Sequence, residues 1–136
     1  MKKIASIVLI LCMVTVMFAG CGQGTGSGNV IKIGVFEPSS GDNGAGGKQE
    51  VLGIEYAHSK VNTVEIDGKT YKIQLEIVDN ESSNDKAPSA AAKLVSAKCS
   101  VVLGSYGSGV SIAASDVFAS AGIPVIGISC TNPQVT

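Results

Sequence analysis

Two short apolar runs near the end of the chain, each leading into small polar residues, constrain its fold more than any other feature. The first run, Val101–Leu103, leads into residues 104–109 (GSYGSG), and the second, residues 123–128 (IPVIGI), leads into residues 129–131 (SCT). Between the runs, apolar residues recur at helical spacing up to Gly122, which predicts two buried strands joined by a helix. Both polar segments then follow the carboxyl ends of strands, the edge where open α/β sheets bind ligands. This stretch therefore predicts half of a small-molecule site.

The first part of the chain shows the same alternation of strand and helix signals. Val30–Glu37 alternates and then becomes apolar, which predicts a first strand that leads into the glycine-rich residues 38–47. A helix is predicted from about residue 48 to residue 61, because its apolar residues fall on one stripe.

A hairpin is predicted next, within residues 64–78. Asp67 and Gly68 form a strong turn signal between two alternating arms. The second arm, residues 71–78, is long enough to continue into the sheet as the second main strand.

One more helix completes the alternation. Ser83 or Asn84 is expected to cap this helix, which runs through Lys98, and Pro88 is tolerable only near its first turn. The predicted order is β-α-β-α-β-α-β, with the hairpin arm added before the second main strand. Such alternation predicts an α/β fold with a doubly wound (Rossmann-like), mostly parallel sheet. The sequence stops just past the fourth main strand, where such a domain seldom ends, so we expect a fragment.

Composition and charge exclude some classes of protein. The chain has 136 residues, a formal net charge of -1, ten lysines and no arginine. Because the lysines are scattered, we expect no nucleic-acid-binding surface. Aromatic residues make up only 4% of the chain, so a core has to consist mainly of aliphatic residues, as in sheets covered on both faces.

The N-terminus carries the pattern of an export signal. Two lysines precede an apolar segment, residues 4–18, that is short for a membrane span. The small residues just before Cys21 resemble the bacterial lipobox, in which the cysteine is lipidated. We predict a lipoprotein signal peptide (residues 1–20), a lipid on Cys21 and a flexible Gly/Ser tether (residues 21–29), in an exported protein anchored on the outer face of the cytoplasmic membrane. An ordinary signal peptide with an incidental cysteine, or an uncleaved anchor, is the alternative.

Two cysteines remain beyond this region, in a compartment that permits disulfides. Cys99 directly precedes one predicted strand and Cys130 directly follows the next. In parallel neighbouring strands these positions lie at opposite ends of the sheet, roughly 17–20 Å apart, whereas a disulfide needs Cα atoms within about 7 Å. We predict that they are not bonded to each other.

No catalytic or cofactor-binding motif is complete. Residues 41–49 (GDNGAGGKQ) approach a P-loop, but Asp42 and Gln49 stand where glycine and serine or threonine are required. Ile112 replaces the third glycine of a dinucleotide fingerprint. His58, the single histidine, has no cysteine or carboxylate at ligand spacing, which favours a helix-surface residue over a metal ligand or catalytic base. We therefore expect no cofactor, no metal and no enzymatic activity.

Three hydroxyl residues in the polar segments are the candidate ligand-binding residues. Ser108 lies at or near the predicted start of a helix, where free N–H groups and the helix dipole favour an anion. Ser129 and Thr131 follow the next strand, and the three hydroxyls suit the orientation of a small polar ligand. The alternative is a structural role, with Ser108 as a helix cap and the other two as loop residues. The convergence of both segments at one sheet edge favours a site for a carboxylate or amino acid.

Several short motifs occur together between residue 31 and residue 136. They are Ile33-Gly34-Val35, then Pro38, Gly41 and Gly47, then Gly53, Glu55 and Ala57, then Val78-Asp79-Asn80, Ser115-Asp116, Ile123-Pro124 and residues 130–136 (CTNPQVT). In this combination the chain resembles the branched-chain amino-acid (Leu/Ile/Val) binding lipoproteins and periplasmic proteins of ABC transporters, which have the type I periplasmic binding protein fold.

The resemblance implies a protein with two lobes, in which residues 30–136 are part of the N-terminal lobe and the C-terminal lobe is missing. It implies that Ser108, Ser129 and Thr131 hold the amino and carboxylate groups of a small amino acid or related amide. It also implies delivery of the ligand to an ABC transporter permease; a sensing receptor lobe of the same fold, signalling to a membrane partner, is the alternative. The family usually has an aromatic residue over the ligand at the position of Gly46, so this glycine is expected to leave that space open.

Overall fold

The described part of the chain, residues 29–136, forms five strands, three α-helices and one short 3₁₀ helix in a computed structural model. The predicted signal peptide, Cys21 and the tether before Asn29 lie outside the described residues. In chain order the elements are β1 (Val30–Glu37), α1 (Gly44–Lys60), β2 (Thr63–Ile66), β3 (Lys69–Asp79), α2 (Ala87–Ser96), β4 (Val101–Leu103), α3 (Ser108–Ser120), β5 (Val125–Ile126) and the 3₁₀ helix (Pro133–Val135). Within residues 29–136, every helix is too short or too polar to cross a membrane.

The strands form a single sheet in the order β2-β3-β1-β4-β5. The pairs β1–β3, β1–β4 and β4–β5 are parallel, and β2 is antiparallel to β3. In this register Val35 of the central strand lies between Ile77 and Leu103. The predicted hairpin turn is present, with Asp67 and Gly68 at the positive φ values of 50° and 71° that a type I′ turn requires. The predicted fold class, an α/β fold with a mostly parallel sheet, is confirmed.

The most completely buried core lies between the sheet and helices α2 and α3. The rings of Phe36 and Phe118 meet edge to face with their centroids 5.5 Å apart. Helix α2 packs close to β1 because Gly34 has no side chain: a Cβ there would lie 2.9 Å from Cγ2 of Val102 and 3.2 Å from Cδ1 of Leu94. This packing fixes the strands whose carboxyl ends carry the candidate site.

The opposite face of the sheet is covered less completely, by α1. Ile54 and Ala57 of the helix and Ile33, Leu75 and Leu103 of the sheet help to line an apolar groove of about 510 Å³. Ile54 is half-buried and Ala57 is exposed, so the predicted apolar stripe of this helix is only partly covered by the described residues.

Helix α1 begins at Gly44, earlier than the predicted residue 48. The N–H of Gly44 donates to O of Gly41 at 3.1 Å, and the N–H of Gly47 donates to O of Asn43 at 3.0 Å. The glycine-rich segment therefore forms the first turn itself, and Gly46 belongs to the helix rather than to a loop.

Helix α2 begins at Ala87, later than the predicted caps Ser83 and Asn84. The turn before it is already hydrogen-bonded, because O of Ser83 accepts the N–H of Ala87 at 3.0 Å. Pro88 lies in the first turn, as predicted. The sequence thus located the turn correctly but assigned it to the helix.

The prediction of a buried strand over residues 123–128 is wrong. β5 comprises only Val125 and Ile126, and their side chains are 39% and 55% exposed. The strand lies at the edge of the sheet and pairs only with β4 in the described part of the chain. An apolar run predicts burial only when another element packs on it, and here residues 29–136 leave it largely uncovered.

Candidate ligand-binding site

The structure brings the three predicted site residues together at the carboxyl edge of β4 and β5. Oγ of Ser108 accepts hydrogen bonds from the N–H groups of Thr131 at 3.1 Å and Asn132 at 3.3 Å. Oγ of Ser129 lies 3.5 Å from O of Tyr106, to which it donates. The loop after β4 and the loop after β5 are therefore joined directly through candidate residues.

Ser108 is the first residue of α3, and Gly107 rather than Ser108 holds the cap position. The simple helix-cap role considered for Ser108 is therefore not the one the structure gives it. Because its oxygen already accepts two N–H groups, its own hydrogen remains available to a further acceptor. That hydrogen lies beside a helix N-terminus, a combination that suits a carboxylate oxygen.

A buried polar network beneath these loops was not predicted. Asn80, which is fully buried, donates from Nδ2 to O of Phe36 at 3.1 Å and to Oγ of Ser105 at 2.9 Å. The N–H of Ser105, also fully buried, donates to Oγ of Ser111 in α3 at 3.2 Å. In the sequence, Asn80 and Ser105 lie just past the ends of two strands and Asn80 belongs to the Val78-Asp79-Asn80 motif, but neither feature indicates that the two side chains meet. The network ties the ends of β1, β3 and β4 to the start of α3.

Cys130 joins this network through its thiol. Sγ donates to O of Ser105 at 3.2 Å and lies 3.2 Å from Oγ of Ser111. Cys99 is buried just before β4, so the two cysteines lie at opposite ends of that strand, as predicted, and both are free thiols. Burial raises the pKa of the Cys99 thiol.

Asp79 holds the loop between β1 and α1. Its Oδ1 accepts the N–H groups of Ser39 and Glu81 at 2.8 Å each, and its Oδ2 accepts the hydroxyl of Ser40 at 2.7 Å. Burial by itself raises the pKa of Asp79, but these hydrogen bonds outweigh it and hold the pKa well below its usual range. The carboxylate therefore stays ionised and fixes the loop at the end of β3.

Glu37, at the end of β1, is a buried acid. It is 1% exposed, and its Oε2 accepts the N–H of Tyr106 at 2.7 Å. Two carboxylate oxygens, Oε1 of Glu37 and Oε2 of Glu50, are buried without a hydrogen-bond partner. Burial, and then the adjoining Glu50, raise the pKa of Glu37 to about 8, although the N–H of Tyr106 acts in the opposite direction. A proton on Glu37 can satisfy both orphaned oxygens if the two carboxyls share it.

The space above Gly46 is filled, which corrects the expectation that it is open. A Cβ on Gly46 would lie 2.5 Å from both Cε2 and Cζ of Tyr106. The ring of Tyr106 therefore rests on the backbone of α1 where only glycine leaves room for it. Tyr106 remains 42% exposed.

His58 lies away from this edge. Its Nε2 is 3.0 Å from O of Ile73, near the start of β3. Among residues 29–136, no group of histidine, cysteine, aspartate and glutamate side chains is arranged to hold a metal ion.

Hydroxyl side chains thus gather at the carboxyl edge of a mostly parallel sheet, beside a helix N-terminus, and this arrangement is typical of α/β proteins that bind small molecules. The family described as periplasmic binding protein matches residues 30–136, and the chain belongs to this family. The resemblance stated from the sequence is thereby confirmed.

Individual relatives agree with this assignment. The chain is 36% identical over 107 residues to the Leu/Ile/Val-binding protein homolog 1 of Brucella abortus, a match that covers 78% of this chain and 28% of that protein. The chain thus spans less than a third of the length of the curated relatives it matches.

Solved structures show the same lobe. The branched-chain amino acid transporter substrate-binding protein LivJ of Streptococcus pneumoniae, in complex with isoleucine, has a TM-score of 0.68 and 33% identity, covering 78% of this chain and 30% of that one. A solute-binding protein of an ABC transporter from Rhodopseudomonas palustris, in complex with benzoate, has a TM-score of 0.60 and 32% identity, covering 72% of this chain and 27% of that one. Both ligands carry a carboxylate.

Proposed function

We propose that the protein containing this chain is the extracellular substrate-binding component of an ABC importer. It captures a branched-chain or other small amino acid, or a related amide, and delivers it to a membrane permease. Membership of the family supports the class of protein. The names of its relatives support an amino acid or another small carboxylate as the ligand.

The observation that carries the proposal is the hydroxyl of Ser108. Two N–H groups of the β5 loop occupy its oxygen, so its hydrogen is free to bind a carboxylate at the start of α3. The first-turn N–H groups of a helix lack partners within the helix and add to this attraction. The α-carboxylate of the ligand therefore binds here.

Thr131 and Ser129 bind the amino end of the ligand. Both residues are exposed at the same edge as Ser108, and hydroxyl and carbonyl oxygens accept hydrogen bonds from an ammonium group. The two ends common to all amino acids are thus held by loops that the Asn80 network has already fixed, which lowers the entropy lost on binding.

The test is ligand binding by the full-length protein. Calorimetric titration or a thermal-shift assay with a panel of amino acids, amides and short carboxylates should reveal a ligand, and failure of the whole panel would refute the proposed function. Ser108→Ala or Thr131→Ala should weaken binding by roughly ten- to a hundredfold, the loss expected for a hydrogen bond to a charged group. Ser120→Ala, an exposed change at the far end of α3, is the matched control. Unchanged affinity in Ser108→Ala and Thr131→Ala, with melting temperatures also unchanged, would count against this site.

We also propose that the protein is exported and held on the outer face of the cytoplasmic membrane by a lipid on Cys21. The lipobox-like residues before Cys21 and the Gly/Ser-rich tether after it support this placement. Cys21→Ser should move the protein from the membrane fraction to the soluble fraction of cells. Persistence of the variant in the membrane fraction would argue against lipidation.

A further inference from the structure

The edge of the sheet opposite the candidate site carries most of the lysines of the lobe. At this amino edge the parallel strands β1, β3 and β4 begin, and helices α1 and α2 end. Of the eight lysines in residues 29–136, five exposed ones lie there: Lys60, Lys69, Lys72, Lys93 and Lys98. The fold therefore gathers at one edge charges that are scattered along the sequence.

These five lysines are not neutralised within the lobe. In the described part of the chain the ion pairs use other lysines, Lys32 with Glu76 at 3.0 Å and Lys86 with Glu81. The exposed acids at or near the amino edge are fewer than the lysines: Glu65, Asp67 and Asp116. The amino edge therefore keeps a net positive charge that is available to an anion from outside.

The carboxyl edge carries the opposite charge. Its two lysines, Lys48 and Lys86, are outnumbered by exposed acids: Asp42, Glu81 and Asp85. The eight residues of β1 separate the two edges by about 26 Å. Exposed charges are largely screened beyond about 10 Å at roughly 0.1 M salt. An anionic surface at the amino edge is therefore attracted by the lysines and scarcely repelled by the acids.

The N-terminal part of the chain enters the lobe at the same edge. Asn29, the first described residue, accepts the N–H of Lys72 with its carbonyl oxygen at 2.7 Å. Residues 21–29 connect this point to Cys21, and a segment of that length reaches at most about 30 Å. A lipid on Cys21 would therefore keep the amino edge near the membrane.

We infer that the amino edge is a membrane-contact surface that binds the anionic headgroups of phospholipids. This inference rests on the proposed anchor at Cys21, which raises the local concentration of headgroups at this edge. Contact there turns the carboxyl edge, where Ser108 lies, away from the lipid and toward incoming ligand.

Lys72 and Lys98 are central to this surface because they lie on either side of the start of β1. The backbone of Lys72 is bonded to Asn29, directly before β1. On the other side, the N–H of Ser100, two residues after Lys98, donates to O of Lys32 in β1 at 2.8 Å. Both lysines are exposed, so both can reach headgroups beside the point where the chain arrives.

The experiment measures co-sedimentation of the full-length protein, from residue 21 onward, with lipid vesicles. The protein carries Cys21→Ser, so that no attached lipid contributes to binding. It should bind vesicles that contain phosphatidylglycerol about tenfold more tightly than vesicles of phosphatidylcholine alone. The difference should disappear near 1 M salt, where the screening length is about 3 Å.

Two double variants remove the same charge from opposite edges. Lys72→Gln with Lys98→Gln should weaken binding to the phosphatidylglycerol vesicles by about ten- to thirtyfold, since each lysine near an anionic surface contributes about fivefold. Lys48→Gln with Lys86→Gln should leave binding within about twofold, because these positions lie beyond the screening length. All four positions are exposed, and melting temperatures show whether each variant is folded.

Three results would overturn the inference. Equal binding to the two kinds of vesicle would show that the edge does not recognise anionic headgroups. Equal losses in the two double variants would show a response to net charge rather than to the amino edge. Binding that persists at high salt would indicate insertion of apolar groups instead. The lipid on Cys21 is tested separately by cell fractionation, so a failed anchor and a failed contact surface give different results.

Discussion

Replacing Glu37 with glutamine should change how the stability of the protein depends on pH. In the folded protein Glu37 is 1% exposed. Oε1 of Glu37 and Oε2 of Glu50 are both buried without a hydrogen-bond partner. Burial is the main cause, and the adjoining Glu50 the second, of a rise in the pKa of Glu37 from 4.5 to about 8. A glutamine amide can donate toward Glu50 while its oxygen still accepts the N–H of Tyr106. It therefore imitates the protonated acid at every pH.

The sign of the effect follows from where the proton binds more tightly. Because the pKa of Glu37 is raised by folding, the folded state holds the proton more tightly than the unfolded state. The stabilisation is full below pH 4.5 and is lost as the pH rises through about 8. At 1.36 kcal/mol per pKa unit, the free energy of unfolding should fall by up to about 5 kcal/mol over this window. Glu37→Gln should remove this contribution, so it should exceed wild type in stability at about pH 9 and match it at about pH 5.

Chemical denaturation of the full-length protein across this pH range measures the difference directly. Glu55→Gln, which removes an exposed carboxylate from the same helix as Glu50, should retain the wild-type pH dependence. If wild type and Glu37→Gln lose stability in parallel as the pH rises, the buried shared proton is not present and the reasoning fails.

Three further substitutions test other parts of the lobe by denaturation. Asp79→Asn should lower the free energy of unfolding by about 1.5–3 kcal/mol at neutral pH. Since hydrogen bonds hold the pKa of Asp79 low, the difference from wild type should shrink below about pH 4. A difference that stays constant with pH would contradict this. Asn80→Ala should cost about 1–3 kcal/mol by removing the two buried hydrogen bonds that Asn80 donates, to O of Phe36 and to Oγ of Ser105, and a neutral effect would oppose a role for the network. Gly34→Ala should cost about 1–3 kcal/mol by overpacking, whereas Gly53→Ala should not, and equal effects would refute that packing argument.

The buried network holds together the two loops of the candidate site. Asn80, Ser105, Ser111 and Cys130 connect three strand ends to α3 and to the β5 loop. Ser108 then depends on this support, because its bonds to the β5 loop require both loops to be held in place. The Asn80 substitution should consequently weaken ligand binding as well as stability.

Much of the fold follows from local patterns in the sequence. The bounds of β1 and β4 and the hairpin turn at Asp67 and Gly68 were predicted correctly, because periodicity and turn chemistry act between neighbours in the chain. The prediction that residues 123–128 are buried was wrong because burial is not a local property: it depends on which element packs against a strand. Ser108, Ser129 and Thr131 were placed at one edge from the parallel topology alone.

What the sequence determined by itself was the alternation of strands and helices, and with it the edge at which polar loops converge. Tertiary structure alone decided how those loops are held. Glu37 and Tyr106 are 69 residues apart in the chain, and neither they nor Gly46 carries a local signal of their contact. The ring of Tyr106 reaches Gly46 because parallel strands place the loop after β4 beside the start of α1. Contacts of this kind depend on the order and register of strands, which no short pattern encodes.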